Sequence, residues 1–195
     1  MPPHPTAPPA QSEARERLLR VASELFYREG ITGVGVDKVL AEAGVTRATM
    51  YRHFTGKEAL VVAYLEGEDA ALRAMFASAA EGDPAPDELL ERVVTGVADD
   101  ITWGHTRGCP FINASAEYPD RHGLVRKVVQ KHRDWFRGML EELVAAAGRP
   151  DPEALAASLV LLRDAALVGG YLDGADVART AFEATARDLL DLGAA

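Results

Sequence analysis

A single cysteine, Cys109, in 195 residues excludes an intramolecular disulfide framework and fits a cytoplasmic protein. Basic residues are in the minority: 21 Lys+Arg stand against 30 Asp+Glu, a net charge of −9, so the chain is not basic throughout as many nucleic-acid binders are. No run of about 18 apolar residues stands out, and no membrane span is expected. The five histidines show no metal-ligand spacing, and neither a nucleophile elbow nor a glycine-rich phosphate loop is present. No metal or cofactor is therefore expected, and a helical enzyme lacks a catalytic constellation to support it. Strand-like alternation and internal repeats are also missing, which leaves an all-helical reading. Residues 1–11 are rich in proline and carry neither lysine nor arginine; they suit a disordered leader, not a signal peptide or a basic arm.

What is present is unevenly distributed. Residues 1–60 sum to +1 and residues 61–195 to −10, so the acidity lies in the C-terminal part. The field at a nucleic-acid groove depends on local placement and not on the total. Apolar spacing predicts helices over 12–29, 36–43, a very short one from near Arg47, then 57–80, 86–104, from Asp120 or Arg121 to 147, 152–171 and 176–192, with a short apolar segment over 109–117. Glycines and prolines punctuate them: Gly30, Gly33 and Gly35, then Gly82-Asp83-Pro84, Gly148, and Asp151-Pro152.

The stretch from Gly33 to Leu60 carries the most information. Val36, Val39, Leu40 and Ala43 lie on one helical face. Gly44 follows at the place where a helix ends most easily in the left-handed conformation, and Thr46 offers a hydroxyl to cap the next helix. That helix presents Arg47, Thr49, Tyr51, Arg52 and His53 outward. A helix-turn-helix needs both parts: a buried seam to hold two helices crossed and a polar face to enter a DNA groove. Arg47, at the helix N-terminal end, can bridge guanine O6 and N7, and Thr49 can reach phosphate, base or a thymine methyl. Lys38 sits where it can grip the backbone, and Phe54 and Val45 are assigned to packing.

Ala41-Glu42-Ala43-Gly44-Val45-Thr46, Ala48-Thr49-Met50-Tyr51-Arg52-His53-Phe54 and Lys57-Glu58-Ala59-Leu60, with the earlier Leu25-Phe26-Tyr27-Arg28-Glu29-Gly30-Ile31, resemble the TetR family of one-component transcriptional regulators. The similarity spans about residues 15–65. It departs at Gly56, where the family usually caps the fourth helix with Ser or Asn. The resemblance implies a helix-turn-helix domain, here 12–58, and a larger helical ligand-binding and dimerisation domain, 59–195. Tyr51, His53 and Lys57 match family positions that grip phosphates. It also implies a repressor that binds a palindromic operator as a homodimer and leaves it when a small-molecule effector binds. The alternative is a helical enzyme or ligand-binding protein without DNA regulation.

The family's effector pocket lies among the central helices of the second domain. Trp103, Phe111, Asn113, Glu117, His132, Trp135 and Phe136, with Leu167 and Tyr171 on the next helix, are the candidates to line it. Each aromatic equally suits ordinary core. Asn113 and Glu117, four apart on an apolar segment, are expected to face one cavity or to cap neighbouring helices. Cys109 reads as a buried small hydrophobe in preference to a reactive thiol. The last two helices, rich in alanine, glycine, leucine and valine, suit a four-helix interface with a second copy.

Overall fold

The computed structural model describes residues 9–192, and every regular element among the described residues is helical. The expected leader lies outside the described residues except for 9–11, which already belong to the first helix, α1 (Pro9–Glu29). α2 (Val36–Ala43) and α3 (Arg47–His53) follow on a tight turn. Gly44 sits at φ 62°, and Val45 N–H closes the end of α2 on Leu40 C=O at 3.1 Å, the left-handed helix stop that glycine permits at least cost. Met50 of α3 is fully buried, as are Leu18, Leu25, Val34 and Val39 of the same head.

α4 (Lys57–Ala79) belongs to both halves. Its first turns bury Leu60, Val61, Tyr64 and Leu65, with Tyr64 against Phe26 of α1. Its far end brings Phe76 against Trp135 and Phe136. α5 (Pro86–Asp99) starts with proline and two acids in its first turn, which complements the helix dipole. The single helix expected to Gly104 instead changes pitch: 100–104 form a π-turn closed by His105 N–H on Asp100 C=O at 2.8 Å.

α6 (Pro110–Glu117) is short, and α7 (Leu124–Ala146) begins later than the spacing suggests. Asp120 Oδ1 accepts the His122 N–H at 3.0 Å, and Asp120 C=O accepts from Gly123, so an Asx turn holds the chain out of the helix. α8 (Pro152–Asp173) and α9 (Ala175–Leu189) pack as an antiparallel pair, with α7 on the other side of α8. α9 stops at Leu189 instead of Leu192, where Arg149 Nε takes the Leu190 carbonyl at 2.5 Å.

α8 is strongly apolar. Its best 18-residue window has a mean hydropathy of 1.5, enough by length and composition to cross a membrane. The helix nevertheless carries Arg163 and Asp164 at its middle and buries Leu159, Val160 and Leu167, as the central helix of an α-bundle does.

Candidate DNA-binding head and effector domain

In the head, Thr46 caps α3: its hydroxyl accepts the Thr49 N–H at 3.2 Å and lies 2.9 Å from the Thr49 hydroxyl. Tyr51 is 54% exposed, and Arg52 Nη2 donates to Thr49 Oγ1 at 3.1 Å. The Arg47 guanidinium is paired with Asp37 of α2, and Lys38 donates to Glu29 at 2.7 Å. Both ion pairs are exposed, so each contributes little stability and can be exchanged for a phosphate. His53 is half-buried, with a buried, unpartnered Nε2. Lys57 is half-buried too, and its Nζ reaches the Thr32 carbonyl at 3.5 Å. Burial lowers its pKa, against the opposing pull of Glu117. Arg47, Thr49, Tyr51 and Arg52 therefore share the outer surface around α3, Thr46 and Lys57 are partly taken up by bonds within the head, and His53 is half-buried.

In the second half, four of the sequence candidates come together. The Phe111 ring lies 3.7 Å from His132 in parallel, and Trp135 and Phe136 complete the cluster. His132 is 2% exposed; its Nδ1 is 2.8 Å from Asp69 Oδ1, and its Nε2 has no partner. Burial lowers its pKa, Asp69 opposing and Arg163 adding to the effect. Nδ1 is the nitrogen placed to donate to the Asp69 carboxylate. Arg73 lies over Trp135 and Arg163 over Phe136, at 4.1 and 5.0 Å from the ring centres. Cys109 is buried and accepts from Arg163 Nη1 at 3.8 Å.

The other candidates do not join this cluster. Trp103 is 81% exposed on the π-turn and Tyr171 56% exposed on α8, while Leu167 is buried core. Asn113 and Glu117 do not face one cavity: Asn113 Nδ2 donates to the Arg107 carbonyl at 3.2 Å, and Glu117 turns to the head. A concavity of about 700 Å³ lies elsewhere, between α4 and α5, with Glu88, Glu91, Asp99 and Asp100 in its walls. The spacing of Glu88, Glu91, Thr95 and Asp99 along one face of α5 is the signal by which the sequence shows it. A second cavity, of about 20 Å³, is enclosed by apolar side chains of α5, α7, α8 and α9 with Arg163 at its wall.

Polar contacts missed in the sequence join the two halves. Tyr27 donates its hydroxyl proton to Gly108 C=O at 3.2 Å and accepts the Arg107 N–H at 2.7 Å, and Arg107 Nη1 donates to Tyr27 C=O at 2.7 Å. Burial pushes the Tyr27 pKa up to about 12. His105 packs edge-on to Tyr27 between Asp100 at 2.6 Å and Glu68 at 3.2 Å. Burial disfavours its charge, but the two carboxylates outweigh that and raise its pKa to about 9. Glu117 accepts the Ile31 N–H at 2.9 Å with one oxygen and the Thr32 N–H with the other.

Residues 18–64 match the bacterial regulatory proteins of the tetR family, and residues 87–186 match the tetracyclin repressor-like C-terminal domain. The chain belongs to the TetR family. It is a DNA-binding transcriptional regulator by that membership. The TetR-family regulator SCO4454 of Streptomyces coelicolor is 43% identical, with a TM-score of 0.88 over 93% of this chain and 96% of that one. The HTH-type transcriptional regulator LmrA of Bacillus subtilis (strain 168) is 24% identical over 162 residues, 82% of this chain and 85% of that protein. The transcriptional repressor NemR of Escherichia coli (strain K12) is 29% identical over 124 residues, 62% of each chain. The Thr46-capped α3 lies within the residues that match the tetR-family model, and Phe111 and His132 lie within those that match the C-terminal domain model, as does most of the acidic groove.

Proposed function

We propose that this TetR-family protein is a homodimeric repressor that binds a palindromic operator and leaves it when a small-molecule effector binds. The observation that carries the reading is the division of labour along the chain. Donors gather on the exposed face of α3, while α8 and α9 leave Leu161, Tyr171, Leu172 and Val177 more than half exposed. Apolar side chains of that size, repeated along two adjacent helices, are the mark of a protein–protein interface. A two-fold pair of α8–α9 faces makes a four-helix interface. It sets two recognition helices about 34–36 Å apart or a related spacing, so the operator is palindromic.

Arg47 and Thr49 read base edges. Tyr51, Arg52, Lys38, His53 and Lys57 hold phosphates, with Thr46 presenting the helix that carries them. The head spans 12–58 and the effector and dimer domain 59–195, the boundary falling within α4. A concavity of about 700 Å³ has the volume of a small-molecule site, and its π-turn wall also touches α8 and α9. An occupant there shifts the balance between two head arrangements, so effector and operator oppose each other through one equilibrium.

Gel shift against DNA upstream of the protein's own gene, and against palindromes selected from a random pool, tests the reading. Salt-sensitive binding that resists non-specific competitor is the expected result. Its absence on every selected palindrome sinks the proposal.

A further inference from the structure

α6 is held to the head at both of its ends. At the N-terminal side, Arg107 and Gly108 exchange three hydrogen bonds with Tyr27 in the last turns of α1. At the C-terminal side, Glu117 takes the N–H groups of Ile31 and Thr32 in the α1–α2 turn, while Lys57 braces the carbonyl of the same Thr32. One attachment fixes a position and leaves rotation free. Two attachments separated by an eight-residue helix, about 12 Å long, also fix an angle.

The same short segment meets the core of the second domain. Cys109 touches Arg163 of α8, and Phe111 stacks on His132 of α7. α6 and its flanking residues thus have one surface in the effector half and both ends on the head. We propose that Glu117 is a positioning residue for operator binding: by holding the two turn amides it fixes the head's angle, and with it the spacing of the paired recognition helices.

Glu117 suits the task in three ways. A carboxylate offers two separate charged oxygens, one to each of two adjacent N–H groups, whereas an amide or a hydroxyl has a single, neutral acceptor atom. Its charge is secure: burial raises its pKa, but the hydrogen bonds from Thr32 and Ile31 and the charge of Lys57 outweigh that and hold it below the usual carboxylate range. The turn also runs close to it: the chain reverses at Gly30, whose φ of 87° favours glycine, and a Cβ there would stand at ordinary contact distance, 3.5 Å, from Glu117 Oε1. From the sequence Glu117 is a candidate for the pocket or for capping a neighbouring helix; its bonds make it a part of the head's mounting.

The inference rests on the dimeric operator reading, so the test has an arm independent of it. In the full-length protein, amide hydrogen exchange should show Ile31 and Thr32 protected in wild type. Both should be lost to fast exchange in Glu117→Ala, with α2 and α3 amides unchanged. Continued protection of both in the variant overturns the proposal.

The DNA arm compares a selected operator with versions carrying one extra base pair between the half-sites. Wild type should discriminate the spacings by roughly tenfold or more. Glu117→Ala should bind the original operator roughly tenfold more weakly, about the effect of one charge-assisted hydrogen bond, and tell the spacings apart poorly. Its affinity for a single half-site should not change, whereas local damage to the head weakens single half-sites as well. An unaltered spacing profile in the variant overturns the inference. Glu117→Gln, which keeps one acceptor oxygen, should fall between the two and serves where the alanine variant folds poorly. If wild type itself shows no preference for paired half-sites, the operator reading fails, and the exchange experiment still decides whether Glu117 holds the turn.

Discussion

His105 Nδ1 lies 2.6 Å from Asp100 Oδ1 across the π-turn, while the ring's other nitrogen faces Glu68. The pair of carboxylates keeps this histidine protonated far above its ordinary range, with a pKa of about 9. The folded value is raised, so its stabilisation is complete below the unfolded pKa of about 6.5 and declines as pH rises through the folded one. Urea unfolding should show stability falling between about pH 6.5 and 9 with up to one proton released. His105→Gln should flatten that slope, and a wild-type curve already flat there would remove His105 from the account.

The α3 cap gives a second expectation. Thr46→Ala removes the acceptor for the Thr49 N–H and should cost about 1 kcal/mol, measured by thermal unfolding. The loss of operator affinity should exceed what that destabilisation alone produces, because α3 has seven residues and frays as a unit.

Arg47 is held by Asp37 in the free protein. Asp37→Asn frees it and should tighten DNA binding by about 1 kcal/mol or less, as expected for an exposed pair. Arg47→Ala should lose about 1–3 kcal/mol of discrimination at one base position. Anisotropy titrations on operators permuted one base at a time measure both. An Arg47→Ala protein that weakens all sequences equally assigns Arg47 to the phosphate backbone.

The α8–α9 face supplies a fourth. Leu172 is 69% exposed and Val177 64%. Leu172→Glu should leave helicity intact and convert the dimer to monomer, read by sedimentation. The monomer should keep weak binding to single half-sites and lose the two-half-site complex.

Where the structure follows the sequence, the signals are short-range. Gly44 at a left-handed helix end, Thr46 as a cap, and the Val39–Leu40–Ala43 seam each depend on neighbours within four residues. Phe111, His132, Trp135 and Phe136 were recognisable as aromatic and polar candidates, and packing gathered them. The misses are of another kind. Glu117 finds its amides 86 and 85 positions earlier, and His105 meets Glu68 37 positions away; no local spacing encodes either. Trp103, a candidate to line the pocket, is exposed instead, because the π-turn at 100–104 shifts the helical register there. The late start of α7 was available in principle from Asp120 and Gly123, a turn pair that the apolar stripe of the following helix obscured.

The continuity of α4 has a mechanical consequence. A helix of 23 residues is about 34 Å long, so a tilt of about 5° at one end moves the other by about 3 Å, close to the 3.4 Å separating stacked base pairs. On the proposed operator reading, a small tilt set where Phe76 meets Trp135 would reach the head as a displacement close to one base-pair step.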